Sequence, residues 1–330
     1  MDPVEPSTSP TTTGGGGASG SEAAGRTVPG TPTTLRRRRR VVGGLHRWLL
    51  APSVLVLGAV VLFPLVYSVN LSLRHYNPTL PDATGGWAGL SNYTRLLHDS
   101  QFGHALLVTM IFVVVAVGLE TVLGTLLGIF LNRMVTARRV VTSVLLLPMI
   151  ATPLVVGLVF SFGLNPDFGY ITWFLQTIGM SGAESLLAKP ATALAVLILV
   201  DVWEWVPFVA LMALAGLRAL PTSPIEAARF DGFSAVQIHT RIILPMLRPV
   251  LGVAILFRAT EAVREFDKVY ILTGGGPGSS TTVNDLFQYR ISFTNFDLSY
   301  GAALGLVTFA AMLVVTALTF RTITRSAVSS

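Results

Sequence analysis

Glu226-Ala227-Ala228-Arg229-Phe230-Asp231-Gly232, followed after nine residues by Ile242-Ile243-Leu244-Pro245, is a polar, glycine-broken segment between two long apolar runs. Ser223-Pro224-Ile225-Glu226, at its start, has the form of a capping box: Ser223 caps, Pro224 suits the first turn, and Glu226 reaches back to the Ser223 N–H. Ala227 and Ala228 favour helix and carry so little side chain that another surface can come close. Gly232 then stops or bends the helix, because glycine enters left-handed geometry cheaply. Ser234-Ala235-Val236-Gln237 is a second capping box, and Pro245 and Pro249 follow as breakers or kinks. The expected result is two short helices meeting at a glycine. A soluble enzyme rarely needs that between apolar runs; a membrane protein that docks something on its inner face does.

The flanking runs place the segment in a membrane. Hydrophobic residues make up 52% of the 330 and charged residues 12%, with a mean hydropathy of +0.65; a soluble domain carries roughly 25% charged residues. Six runs, at about 48–70, 104–131, 140–163, 191–217, 247–271 and 300–320, approach or exceed the roughly 20 residues a helix needs to cross hydrocarbon. The fold expected is therefore all-α, a polytopic membrane protein of six transmembrane helices with the segment around Glu226 as a cytoplasmic loop. There is no cysteine, which excludes disulfides, zinc fingers and thiol catalysis.

The net charge of +6 is read by its placement. Residues 1 to about 35 are rich in Thr, Pro, Gly and Ser, a composition that cannot offset its ordering entropy and predicts disorder. Arg36–Arg40 and Arg47 follow, directly before the first run, as a topology determinant resting on anionic lipid headgroups rather than a nucleic-acid patch. With the N-terminus inside, fifteen basic residues fall on inner flanks: Arg36–Arg40, Arg47, Arg133, Arg138, Arg139, Arg218, Arg229, Arg241, Arg248, Arg321 and Arg325. Six fall outside: Arg74, Arg95, Lys189, Arg264, Lys268 and Arg290. Both termini and the Glu226 loop are then cytoplasmic, the side where ATP is found.

No catalytic constellation is present. The five histidines are scattered, and there is neither a nucleophile elbow nor a G-x-x-x-x-G-K-[ST] phosphate loop, so no ATP hydrolysis by this chain is expected. Gly274-Gly275-Gly276-Pro277-Gly278 lacks the Lys-Ser/Thr of such a loop and reads as a tight outer turn. The intramembrane charges carry more weight, because each costs roughly 2.5–3.5 kcal/mol at the bilayer centre and turns toward protein or water. Glu120 lies deep in the second span, Asp201 and Glu204 flank Trp203 in the fourth, and Arg258, Glu261, Arg264 and Glu265 punctuate the fifth, with Arg258 able to pair with Glu261 along one face. Two readings stay open for Glu120, Asp201, Trp203, Glu204, Glu261 and Arg264: internal salt bridges that brace the bundle, or a polar substrate path. Aromatic faces and carboxylates are the chemistry that holds carbohydrate.

The pattern EAA, three residues, Gly, nine residues, Ile-x-Leu-Pro resembles the cytoplasmic coupling motif of permease subunits in bacterial ATP-binding-cassette importers, with every position matched. Leu214-Ala215-Gly216-Leu217 ahead of Pro221, Phe266 to Gly278, and Phe293–Asp297 before Tyr300–Ala303 resemble the maltose-type sugar-permease branch. The resemblance covers roughly residues 45–325 and implies a transmembrane domain there, its coupling loop at about 218–249, between a cytoplasmic tail at 1–44 and a short one at 326–330. It implies that Glu226, Ala227, Ala228, Asp231, Gly232, Ile242, Leu244 and Pro245 form the seat of an ATPase. Implied partners are a related second permease subunit, two ATPase subunits that bind the ATP and magnesium, an extracytoplasmic solute-binding protein, a sugar, and lipid of the bacterial inner membrane, with no nucleic acid and no cofactor on this chain. Import of glycerol 3-phosphate or a polyol by the same machine is the alternative cargo. A proton-coupled secondary transporter using Glu120, Asp201 and Glu204 is the alternative machine, against which stands the absence of an obvious inverted repeat.

Overall fold

The apolar runs become helices wherever a cap or a proline starts them. The computed structural model describes residues 42–79, 85–134 and 138–328, and its regular elements are helical throughout those residues. In chain order they are α1 (Val42–Ser72), α2 (Ser91–His98), α3 (Ser100–Arg133), α4 (Arg138–Leu145), α5 (Leu147–Ile150), α6 (Pro153–Gly163) and α7 (Tyr170–Thr177). Then come α8 (Pro190–Ala219), α9 (Ser223–Phe230), α10 (Ala235–Ile238), α11 (Leu244–Val263), α12 (Asp267–Leu272), α13 (Asn284–Tyr289) and α14 (Leu298–Val328). Asp99 starts α3 by accepting from the N–H groups of Gln101 and Phe102 at 2.8 and 3.3 Å. Pro190 opens α8 at the first helical position, where its missing N–H costs nothing. The expected disordered tail and its arginine run precede the described residues, apart from the helical backbone from Val42 onward. α14 continues as helix past the end of its apolar stretch at Ala317 to Val328.

Five helical stretches are long and apolar enough to cross a membrane: Leu50–Ser72, Ser100–Arg133, Pro190–Ala219, Ala235–Val263 and Leu298–Ala317. The sixth expected span is not straight. Val140–Ile150 and Pro153–Gly163 qualify only as a pair bent by 91°. Pro153 bars helical geometry at Thr152, and Ala151 and Thr152 are both extended, with ψ of 141° and 144°. The fifth span is shifted as well. It begins at Ala235 and ends at Val263 instead of running to residue 271, because the Glu265 carboxylate accepts from the Lys268 N–H (3.2 Å) and starts α12 as a separate helix.

Among the described residues, those from Val61 onward form one compact unit and those up to Val60 another. Within the first α3 lies along α8, and glycine is what lets them close. A methyl group on Gly124 would sit 2.6 Å from Val209 Cβ, and one on Gly128 2.8 Å from the Ala210 carbonyl oxygen and from Ala213 Cβ. Small residues four apart allow the close helix approach that replaces hydrophobic driving force inside a bilayer. Above this contact, Phe112, Ala116 and Val117 of α3 pack with Leu197 and Val200 of α8, Val156 of α6 and Val269 of α12 in one apolar core. The outward faces stay aliphatic, as Val114, Leu119, Leu123 and Leu199 show.

Candidate functional site

Glu120 shares a face of α3 with Gly124 and Gly128, four and eight residues on, so the close approach to α8 carries its carboxylate into the bundle. There it meets Arg258 of α11. The Arg258 guanidinium donates twice to Glu120, at 2.7 and 2.8 Å, and once to Asp201 of α8 at 2.8 Å. Lys268 Nζ lies 2.5 Å from Asp201 Oδ1, 2.6 Å from Glu204 Oε2 and 3.0 Å from Glu265 Oε2. Asp201 therefore joins the two cations, and the cluster ties α3, α8, α11 and the turn into α12. All but Glu265 are at most 1% exposed. Arg258 also stacks on the Trp205 ring, 4.3 Å from its centroid. A planar fork matched to a carboxylate at both oxygens is the geometry in which a buried pair best offsets its desolvation.

This arrangement corrects two expectations and, for three acids, favours the first of the two readings left open. Arg258 pairs with Glu120 and Asp201, not with Glu261, because the bidentate fit lies across the bundle rather than along its own helix. Lys268 is not an outer-loop charge; its ammonium is held among three carboxylates, and the outer tally of six basic residues falls to five. Glu120, Asp201 and Glu204 point into closed ion pairs rather than into open space.

Beside the cluster lies a cavity of about 210 Å³, lined by Glu261, Arg264, Glu265, Phe266, Trp205 and the edge of Arg258, among others. Glu261 and Arg264 thus share an open polar space. Trp203 does not. It stands edge-on to Phe160 at 5.3 Å and is 47% exposed. Two residues turn a helix by about 200°, so Trp205, not Trp203, faces the cavity.

The segment around Glu226 folds as two short helices joined at a glycine. Gly232 has φ of +79°. Phe233 N–H bonds the Ala228 carbonyl at 3.0 Å and Gly232 N–H that of Arg229 at 3.2 Å, the paired closure of a Schellman turn. Ser234 then caps α10: its hydroxyl accepts from Gln237 N–H at 3.3 Å while the Gln237 side chain accepts from Ser234 N–H at 2.8 Å. The first expected capping box does not form. Thr222 precedes α9 in helical geometry (φ −79°, ψ −26°), its carbonyl takes the N–H groups of Ile225 and Glu226, and Glu226 stays exposed. A cap needs extended backbone at that position. Beyond α10, a π-helical segment, His239–Ile243, runs into α11 without a break.

The residues expected to seat an ATPase divide by face. Ala228 is buried against Ile238, Ile243 and Leu247, with Ile242 and Leu244 packed on the same cluster. Glu226, Ala227, Asp231 and Gly232 are exposed, and Pro245 sits half-buried in the first turn of α11. Phe230, which sequence reasoning passed over, is 92% exposed between them, and Val236 is exposed nearby. Its signal was available: an aromatic inside a polar loop has no membrane to enter. Lys268, counted among the outer-loop charges, is the other omission. Among the described residues no group of three or more His, Asp or Glu has the spacing to hold a metal ion.

The likeness to known proteins agrees with this geometry. A family model for the binding-protein-dependent transport system inner membrane component matches residues 120–325. A probable ABC transporter permease protein of Sinorhizobium fredii is 37% identical over 257 residues, covering 78% of this chain and 82% of its own length. The trehalose/maltose transport system permease of Thermococcus litoralis is 33% identical and covers 80% of this chain and 88% of itself. The trehalose transport system permease of Mycobacterium tuberculosis is 32% identical, covering 81% and 84%. Among solved structures, a chain of a bacterial ABC transporter that imports alginate superposes with a TM-score of 0.71 at 21% identity, covering 85% of this chain and 96% of that one, and so shares its fold.

Proposed function

Because the chain belongs to the binding-protein-dependent transport system inner membrane component family, and is a multi-pass permease of an ATP-binding-cassette importer, we propose that it carries a sugar and takes its energy from a separate ATPase seated on α9 and α10. The observation that carries the ATPase seat is the exposed face holding Phe230, Glu226, Ala227 and Asp231. An apolar ring surrounded by charges outside hydrocarbon is the anchor pattern of a protein interface. In this reading the buried half of the motif, Ala228, Ile242 and Leu244, holds that face in place. A second permease subunit completes the pathway, and an extracytoplasmic binding protein delivers the cargo. ATP and magnesium sit on the ATPase, and this chain makes and breaks no bond. Both termini lie in the cytoplasm in this reading, which the basic bias supports.

Sugar as cargo is supported by relatives named for trehalose and maltose and by the cavity at Glu261, Arg264 and Trp205, whose carboxylate, guanidinium and indole suit hydroxyls and a C–H face. Glu120, Asp201 and Glu204 brace that cavity from behind through Arg258 and Lys268. Proton-coupled transport gains nothing from the geometry, since each of those carboxylates is already paired with a buried cation. Vesicles holding this chain, its partner permease and the ATPase should take up trehalose or maltose only with ATP inside and binding protein outside, and a proton ionophore should leave initial uptake intact. Uptake driven by an imposed pH gradient without ATP would overturn the importer mechanism. ATP-driven uptake of a polyol, glycerol 3-phosphate or amino acids in place of sugars would reject the cargo alone.

A further inference from the structure

A run of touching aromatic rings connects the small cavity to a larger one. Phe266, which lines the first, stacks on Tyr270 at 5.3 Å between centroids and leans on Tyr289 at 5.1 Å. Tyr270 and Tyr289 touch at 5.6 Å, and both line a second cavity of about 640 Å³. That volume lies in the range of small-molecule sites, roughly 300–1,000 Å³. Its remaining wall is mixed: Phe287 and Ile291 add apolar surface, and Gln101 and His104 from the first turns of α3 and Arg290, Thr294 and Asn295 from the stretch after α13 add polar groups.

The backbone around this cavity is unusual in two ways that coincide. Residues Arg290–Thr294 form a π-helical segment, and Phe296, a non-glycine residue, follows at φ +56°. Wide turns and left-handed non-glycine residues cost free energy and collect at functional sites. The shape is held from the opposite side. The Arg290 guanidinium donates to the Gly274 carbonyl, a His104 ring nitrogen lies 3.1 Å from the Ser279 carbonyl, and Thr282 donates to the Gly275 carbonyl at 3.0 Å. A pyranose presents an apolar C–H face and a rim of hydroxyls. Flat rings take the face, while amide, imidazole and guanidinium groups take the rim.

We propose that the larger cavity is an outer sugar-holding site, and that the rings of Tyr270, Tyr289 and Phe266 pass the sugar from it to the inner cavity at Glu261 and Arg264. This rests on the reading of the cargo as a sugar and of this side as extracytoplasmic.

The chain contains no cysteine, so Thr294→Cys places a single thiol at the cavity in the assembled importer. Vesicles without ATP or binding protein are treated with an impermeant maleimide, and labelling is read on this chain's own band. The probes are trehalose, maltose and an alginate oligosaccharide. A probe that the wild-type importer transports should slow labelling saturably, by about tenfold at ten times its Kd, and leave a control thiol at Thr177→Cys untouched. Tyr270→Leu and Tyr289→Leu should abolish the protection, and Tyr270→Phe should keep it. If Thr294→Cys fails to assemble, Asn295→Cys takes its place. A transported sugar that protects neither thiol refutes the outer site while the cargo reading stands. In a second arm with sugar-free binding protein added, protection by the protein where sugar alone has no effect assigns the cavity to protein docking and refutes the proposal. If none of the probes is transported, the cargo reading falls and the outer site with it.

Discussion

Arg258→Met tests whether the buried ion cluster holds the bundle. The substitution keeps volume and removes a guanidinium that makes two contacts to Glu120, at 2.7 and 2.8 Å, and one to Asp201 at 2.8 Å. Asp201 retains Lys268 at 2.5 Å, but Glu120 keeps no cation within ion-pair distance among the described residues. Leaving one buried charge unpaired costs about 3–5 kcal/mol, which is about a hundred- to several-thousand-fold in the folded fraction. Loss of the stacking on Trp205 adds about 0.5–2 kcal/mol. Glu120→Gln/Arg258→Met removes both members of the pair, so the larger cost should vanish and only the stacking loss should remain. The assay is thermal unfolding of purified chain in detergent micelles together with its steady-state level in membranes. Arg258→Met should be strongly depleted, Glu120→Gln/Arg258→Met should recover most of the loss, and the recovered variant should keep ATPase contact while its uptake falls. The reasoning is refuted if Arg258→Met is as stable as the wild type, or if the double variant is as damaged as the sum of the two single ones.

Reporter fusions after Arg139 and after Arg229 should both report cytoplasm and one after Gly278 the outside; a cytoplasmic signal at Gly278 would remove the orientation. Gly232→Leu puts a side chain at φ +79°, a strain of about 1–2 kcal/mol, and should uncouple ATP hydrolysis from uptake while the chain still inserts; wild-type uptake by a well-expressed variant would falsify the role of the turn. Phe230→Ala touches nothing buried and should weaken ATPase binding at unchanged membrane level, measured by co-purification with the ATPase. Gly124→Val drives a methyl into Val209, 2.6 Å away, and should lower stability by about 1–3 kcal/mol, seen as a lower melting midpoint.

What could be read in advance followed from local chemistry. The turn at Gly232 and the cap at Ser234 are decided within four or five residues, so the segment between the apolar runs was legible to its hydrogen bonds. The capping box at Ser223 failed because its competitor was also local: Thr222 delivers the chain to α9 already in helical geometry. The long runs were legible as helices, but hydropathy is blind to backbone direction, and the 91° bend at Ala151–Thr152 left it unchanged. The ion cluster was the hardest part. Its acids stood out one by one, yet the partners of Glu120, Asp201 and Glu204 lie 57 to 138 residues away in sequence, and only the close approach at Gly124 and Gly128 decides that Glu120 meets Arg258 rather than water. Lys268 was misplaced for the same reason, since a lysine after an apolar run looks like a loop charge until three carboxylates close around it.

The cluster and the coupling turn are physically connected. From Ala235 the chain runs through α10, the π-helical segment and α11 to Val263 as one helical stretch. The 26 residues from Ala235 to Glu261 amount to about 39 Å of helix at 1.5 Å per residue, so the capped end beside Phe230 and the wall of the small cavity belong to the same rod. Pro245 and the π-helical segment loosen the rod just inside the coupling turn, and Pro249 does so one turn later. Beyond them the rod is clamped to α3 and α8 through Arg258. A push on α9 and α10 is therefore absorbed as bending near residues 239–249 unless the clamp makes the outer part of α11 move together with α3 and α8. The argument separates two kinds of variant. Those at the turn should change ATPase contact without disturbing the cavity. Those in the clamp that still fold should keep ATPase contact and lose its link to uptake.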